Sequence, residues 1–231
     1  MPDAHSAGLI VTLDGPAGSG KSTVAQRLAK RLGVDFLDTG AMYRGLTAMA
    51  LLRGIDPEQE PFYIVELARN CPLTFDWSTD PPRLHVRGMD LTDRLRDADV
   101  TGSVSDVAKL PGVRQVLVQN QRRIGLEHPR LVTEGRDQGS VVFPDAHAKF
   151  YLDANATVRA ERRADQLKAA GVRAEVDQIR REILARDEKD STREEAPLIC
   201  PDDALRVDTS DMTLDQVVDH LEHHVKTHTL S

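Results

Sequence analysis

The sequence predicts an α/β fold built on a mainly parallel central sheet, and three observations carry that prediction. Short apolar runs alternate with longer stretches of helical periodicity along most of the 231 residues. The first apolar run ends in a glycine-rich turn that opens directly into a helix. Proline-broken, weakly alternating sequence is confined to one stretch, 72–96. Strands alternating with helices pair in parallel through crossovers, which puts helices on both faces of the sheet and makes three layers.

Each element has its own justification. "GLIVTLDG" (8–15) is apolar without alternation, the pattern of a buried strand, and stops at glycine. In "KSTVAQRLAKRLG" (21–33) apolar residues at 24, 25, 28, 29 and 32 share a helix face, with Lys30 and Arg31 in the last turn and Gly33 as the stop. "VDFLD" (34–38) is a short strand and "AMYRGLTAMALLRG" (41–54) a second helix, again ended by glycine. The 72–96 stretch breaks at Asp80-Pro81-Pro82 and predicts short antiparallel strands, an inserted β-element with Trp77 and Tyr63 as core residues. Helices return at 97–110 and, after Pro111 in a first-turn position, through 112–124. "RLVTEG" (130–135) and "AKFYLDA" (148–154) are strands, 157–171 and 175–193 charged helices, and "ALRVDTS" (204–210) the last strand. Thr213 with Gln216 forms a capping box for a final helix.

Composition narrows the function. With 40% hydrophobic and 29% charged residues, the chain can build one sizeable core. A net charge of −7 argues against nucleic acid as a main partner, since phosphate-backbone binding shows as a basic excess. Cys71 and Cys200 have no metal-type spacing and read as reduced thiols. The apolar run Leu9–Leu13 is halted by Asp14, too short for a secretory signal, and no run nears the roughly 20 residues of a membrane helix. A cytoplasmic protein, monomeric and without membrane contact, is expected. His220 and His224 lie one helical turn apart near the C-terminus, where a solvated helix end is a simpler reading than a metal site.

"GPAGSGKST" (15–23) sits between a predicted strand and a predicted helix and satisfies G-x-x-x-x-G-K-[ST]. Gly15, Pro16, Ala17, Gly18, Ser19, Gly20, Lys21, Ser22 and Thr23 are therefore the candidate phosphate loop. Backbone N–H groups converge on phosphate oxygens there, and the helix N-terminus adds partial positive charge. Lys21 is placed to reach the β- and γ-phosphates of a nucleoside triphosphate, and the Ser22 hydroxyl to ligate Mg²⁺.

The loop implies a nucleoside triphosphate but not the reaction. A kinase of an anionic acceptor needs guanidinium groups, which bind phosphate bidentately and stay charged when buried. Arg44 follows "DTG" and Arg136 follows the strand end at Gly135, where ligands bind in open α/β sheets. Arg186, Asp190 and Arg193 (i, i+4, i+7) share a helix face, either as a surface ion-pair ladder or as an arm closing over phosphates to which Arg159, Arg162 and Arg163 add. No nucleophile–base pair stands out. A phosphate acceptor is anionic at neutral pH and requires no base, so positioning and charge neutralisation suffice. Kinases of UMP, AMP, dTMP, dephospho-coenzyme A or shikimate stay open on this reading, as does a P-loop regulatory NTPase. The missing N-K-x-D motif weakens a GTPase.

"LDGPAGSGKST", "FLDTGAMYRG", "EGRDQGSVVFPDA" and "RDEKDSTREEAPL", in this order and spacing, resemble the bacterial-type cytidylate kinase family over nearly the whole chain. The resemblance implies a nucleoside-monophosphate-kinase fold as one domain over 1–231. It implies a CMP-binding and β-insert region at about 40–115 and a helical lid at about 157–193. It also implies MgATP-dependent phosphorylation of CMP or dCMP. It assigns CMP binding to Thr39, Arg44, Ser105, Arg114, Arg136, Asp137, Arg186, Asp190 and Arg193. Arg44 and Arg136 meet phosphate, Ser105, Arg114 and Asp137 the cytosine edge, and Arg186 and Asp190 the ribose. Lys21, Arg136, Arg186 and Arg193 carry the catalysis. Thr39 stands where relatives often have Ser, Glu134 where Asp is frequent, and Lys189 and Ser191 where arginines are common.

Overall fold

The computed structural model describes residues 8–169, 171–193 and 195–228; Ala170, inside the expected helix 157–171, lies outside them. A five-stranded sheet runs in the order β2 (Asp35–Asp38), β6 (Arg130–Glu134), β1 (Leu9–Asp14), β7 (Ala148–Asp153), β8 (Leu205–Asp208). β1 pairs in parallel with β6 on one side and β7 on the other, and β7 pairs in parallel with β8. The central strands are buried on both faces, which explains their unalternating apolar runs. β3 (Leu73–Asp76), β4 (Arg83–Val86) and β5 (Met89–Asp90) form a separate antiparallel sheet, the expected β-insert.

The chain divides into two compact units, and the division falls within β2. One holds the described residues of Met1–Asp35 and Pro129–Ser231, the other Phe36–His128. In the first, α1 (Lys21–Leu32) packs on β1 and β6, and α8 (Leu214–His228) packs on β7 and α1. Gly33 ends α1 in the left-handed conformation. The Thr213–Gln216 box forms, Thr213 N donating to Gln216 Oε1 at 2.8 Å and Gln216 N to Thr213 Oγ1 at 3.3 Å. α6 (Ala156–Ala169) and α7 (Val176–Thr192) pack against each other.

The second unit contains α2 (Thr39–Leu52), α4 (Ala98–Ala108) and α5 (Pro111–Glu127) near their expected positions. It also contains α3 (Pro61–Asn70), which the sequence reading passed over. The signal was present: Pro61 at the first turn, apolar Ile64, Leu67 and Ala68 on one face, and a stop at Cys71-Pro72. α3 also corrects the role expected of Tyr63, which is 57% exposed on it and meets the Phe62 ring edge-on. Trp77 does pack, stacking on His128 with centroids 3.9 Å apart.

Candidate functional site

In the first unit the phosphate loop leaves β1 hard against β7. A Cβ at Gly15 would stand 2.1 Å from the Leu152 carbonyl oxygen, and its φ is 147°, so only glycine fits. Lys21 opens α1 and is buried, its Nζ donating to the Pro16 carbonyl at 3.0 Å. Ser22 Oγ donates to Glu134 Oε1 at 2.6 Å. The parallel register makes this contact, because β6 ends with Glu134 beside Leu13 of β1. Burial lowers the pKa of Lys21, and Arg136 and Arg186 lower it further, while Glu134 and Asp190 oppose them. A buried ammonium facing guanidiniums is a place prepared for an anion.

Arg136 lies just past β6, and its Nε donates to Asp190 Oδ2 at 2.8 Å. Burial works against its charge, but Asp190 and Glu134 outweigh burial and hold its pKa above the ordinary value. Burial would raise Asp190, yet Arg136 and then Arg186 keep its pKa below the ordinary carboxylate range. Arg193 Nη1 stands 4.0 Å from the other Asp190 oxygen, and its Nε donates to the Ala196 carbonyl at 2.5 Å. The face formed by Arg186, Asp190 and Arg193 is thus no solvated ladder. It joins Arg136 and Lys21 in one electrostatic group, with Asp190 as buried counter-ion.

Two expected members of the phosphate-closing arm have other partners. Arg159 donates to the carbonyls of Ala154 and Ala17 and to Asp187, and Arg162 donates to the Thr209 carbonyl at 2.6 Å. Both are structural arginines here. Asp137 is buried at the start of a π-turn, where its carbonyl accepts from Val141 N and Val142 N.

In the second unit, Asp38 does two jobs. Its Oδ1 caps α2 by accepting from Ala41 N at 2.8 Å, and its Oδ2 accepts from Arg44 Nη2 at 2.7 Å. The pair fixes the guanidinium over Gly40, where a Cβ would stand 2.9 Å from Arg44 Nη1. Thr39 is buried in the first turn of α2, Arg114 is buried on α5, and Ser105 is half-buried on α4.

Three features escaped the sequence reading. A cleft of about 530 Å³ opens at the ends of β7 and β8, lined by Asp153, Ala154, Asn155, Val158, Asp208 and Ser210. Asp187 joins α7 to the phosphate loop. Asp14, fully buried at the end of β1, accepts from Gln138 N at 2.8 Å and Gly139 N at 2.7 Å, holding the segment that carries Arg136 and Asp137. At the C-terminus, His224 stacks on His228 and meets Phe150 edge-on, and among the described residues no group of three or more His, Cys, Asp or Glu is arranged to hold a metal.

Burial pushes Asp14 up from 3.8 to about 7 against the two backbone donors. Between those values the folded state keeps a proton that the unfolded state has released, so stability falls as pH rises from about 4 to 7 and then levels. Asp14→Asn removes this titration. Denaturant unfolding at pH 5 and pH 8 is expected to show a smaller loss in the variant than in the parent, by up to about 3 kcal/mol. Equal losses would show that Asp14 keeps its ordinary pKa.

A family model for cytidylate kinase matches residues 11–227. The chain belongs to the cytidylate kinase family. A cytidylate kinase of Corynebacterium glutamicum is 47% identical over 221 residues, covering 95% of both chains. One of Azotobacter vinelandii is 46% identical over 215 residues, 92% of this chain and 93% of the other. One of Mycobacterium avium is 44% identical over 94% of each. Among solved structures, an uncharacterized protein from Eubacterium ventriosum shares the fold at 10% identity, with a TM-score of 0.52 over 95% of this chain and 98% of that one. The match to cytidylate kinases spans the phosphate loop, "DTGAMYR", "EGRD" and the arginines of α7 alike.

Proposed function

We propose that the protein phosphorylates CMP or dCMP with ATP, giving CDP or dCDP and ADP by direct in-line transfer. The observation that carries this reading is the group of buried Lys21 with half-buried Arg136, Arg186 and Arg193 at the phosphate loop, faced by the carboxylates of Asp190 and Glu134. The four cations outnumber these carboxylates, and two phosphate-bearing substrates would neutralise the excess.

A CMP phosphate oxygen attacks the γ-phosphorus, and the bond to the β–γ bridging oxygen breaks toward ADP. The attacking oxygen carries negative charge already, so no side chain has to take its proton. Lys21 meets the β- and γ-phosphates, and Arg136, Arg186 and Arg193 neutralise the charge spread over the transferring group. Arg44, held by Asp38, binds the CMP phosphate. Ser105, Arg114 and Asp137 read the cytosine edge, Arg186 and Asp190 face the ribose, and Thr39 supports the base end. The cleft at Asp153, Asn155 and Asp208 receives the nucleoside of ATP; Arg159 ties Ala154 on its rim to Ala17 of the loop.

The Ser22 hydroxyl and Glu134 carboxylate, side by side at the start of α1, are a hard-oxygen pair that fits Mg²⁺. Bound with ATP, the ion would neutralise charge across the β- and γ-phosphates. We assign the region about 40–115 to CMP binding and the β-insert, and α6 and α7 to a lid that excludes water once both substrates are bound. The chain is proposed to act in the cytoplasm as a monomer on small molecules, without nucleic acid. No helix among the described residues is long and apolar enough to cross a membrane.

A coupled ADP-release assay over an acceptor panel tests the reading. Turnover is expected to be fastest with CMP and dCMP, clearly slower with UMP, and negligible with AMP or shikimate. Equal rates with AMP and CMP would sink the cytidylate assignment, and equal ATP hydrolysis without any acceptor would sink the kinase.

A further inference from the structure

Ala17, near the apex of the phosphate loop, is held by both of its backbone groups. Its N–H donates to Asp187 Oδ1 at 2.9 Å, and its carbonyl accepts from Arg159 Nη1 at 2.7 Å. The ring closes through Arg159 Nη1, which also donates to Asp187 Oδ2 at 2.5 Å. Arg159 belongs to the first turn of α6, and Asp187 is the residue after Arg186 on α7. Below the ring, Ala17 packs with Ala160, Ala164, Ile179 and Ile183 in one apolar cluster. At Gly18 the contact is so close that a Cβ would stand 3.2 Å from Arg159 Cβ and 3.3 Å from Ile183 Cδ1.

This ion pair needs a reason beyond stability. The Arg159 side chain is 7% exposed and that of Asp187 17% exposed. Two charges so far out of water gain little over an apolar pair of the same shape. An apolar pair would keep α6 on α7, as the cluster below it already does. It could not also grip an N–H and a carbonyl of one loop residue, and that grip fixes the register between loop and helices. One residue before Asp187, Arg186 enters the electrostatic group around Lys21.

We propose that Asp187 and Arg159 are a positioning pair for phosphoryl transfer, anchoring the first turn of α6 and the C-terminal part of α7 to Ala17 so that Arg186 and Arg193 keep their place relative to Lys21. Neither residue touches substrate. The inference rests on the kinase reading above, and the wild-type enzyme reports on that reading separately.

The test is steady-state kinetics with ATP and CMP for Asp187→Asn, Arg159→Lys and the double variant, alongside thermal melts and ATP hydrolysis without CMP. Asparagine keeps the shape and loses the charge; lysine keeps the charge and loses the fork. Each single variant is expected to lose about tenfold or more in kcat, with KM for CMP changed less than about threefold. The double variant should fall no further than the worse single, because one ring has been opened either way. Hydrolysis without CMP should rise as a fraction of transfer. Losses that multiply in the double variant would overturn the proposal. So would melting points that drop while kcat, measured well below them, stays at the wild-type value. If Asp187→Asn does not fold, the kcat-to-KM split of Arg159→Lys decides alone. A wild type that fails to phosphorylate CMP would refute the kinase reading, whatever the variants do.

Discussion

Lys21→Ala is expected to cut kcat for CMP phosphorylation by about a hundred- to a thousandfold, the effect of removing one well-placed charged donor from a developing transition state. The structure explains why so much rests on this side chain. Its ammonium lies inside the loop, bonded to the Pro16 carbonyl, where burial and two guanidiniums disfavour its charge. Phosphates reverse that balance, so the charge is most stable when substrate is present. Its sign in the protein without ligand follows too. A lysine whose folded pKa is depressed destabilises the fold at neutral pH, and the penalty fades as pH rises toward the ordinary value of 10.5. Lys21→Met, which keeps the aliphatic stem, is therefore expected to be as inactive as the alanine variant and to melt at or above the wild-type temperature at pH 7. The ADP-release assay and thermal melts read the two effects apart. A loss under tenfold would remove Lys21 from the chemistry.

How much of this was legible in the sequence depended on how local each feature is. The phosphate loop could be read whole, because its residues are contiguous and the strand, turn and helix around it follow from hydrophobic period. The β-insert was legible through its prolines and weak alternation. The contacts that organise the site were not. Ser22 meets Glu134 only through the β1–β6 register, and Asp14 meets Gln138 and Gly139 across a similar separation. Arginine was the hardest residue to read. Arg159 and Arg162 on α6 looked like phosphate ligands by the same argument as Arg186 and Arg193, and only their partners separate them. Arg159 and Arg162 tie α6 to carbonyls of distant segments, Ala17 and Thr209, whereas Arg136, Arg186 and Arg193 gather at Asp190 beside Lys21. Helix periodicity says nothing about which carbonyl or carboxylate lies opposite, and α3 shows that a ten-residue helix can be passed over when exposed aromatics, Phe62 and Tyr63, blur its apolar face.

That distinction makes Arg136 a test of the whole site. Arg136→Ala is expected to cost on the order of 2–4 kcal/mol in kcat/KM for CMP, about thirty- to a thousandfold, since the guanidinium faces charge that peaks during transfer. The stability effect should depend on pH with a definite sign. Arg136 leads the neighbours that hold Asp190 below its ordinary pKa of 3.8. A depressed carboxylate contributes stability above its unfolded pKa, and that contribution is lost as pH falls through the folded value. Without Arg136 the buried Asp190 charge loses its nearest partner, so the variant should be destabilised at pH 7, and the deficit should close as pH falls below about 4 through the folded pKa. Arg136→Ala combined with Asp190→Asn removes charge and counter-charge together. It should recover much of the melting temperature at pH 7 while the activity stays lost. If the double variant melts no higher than Arg136→Ala, the cost of Arg136→Ala does not come from leaving the Asp190 charge without its partner. If Arg136→Ala costs less than tenfold, Arg136 does not face the transferred phosphate, and the negative charge on that phosphate must be neutralised by Lys21, Arg186 and Arg193 alone.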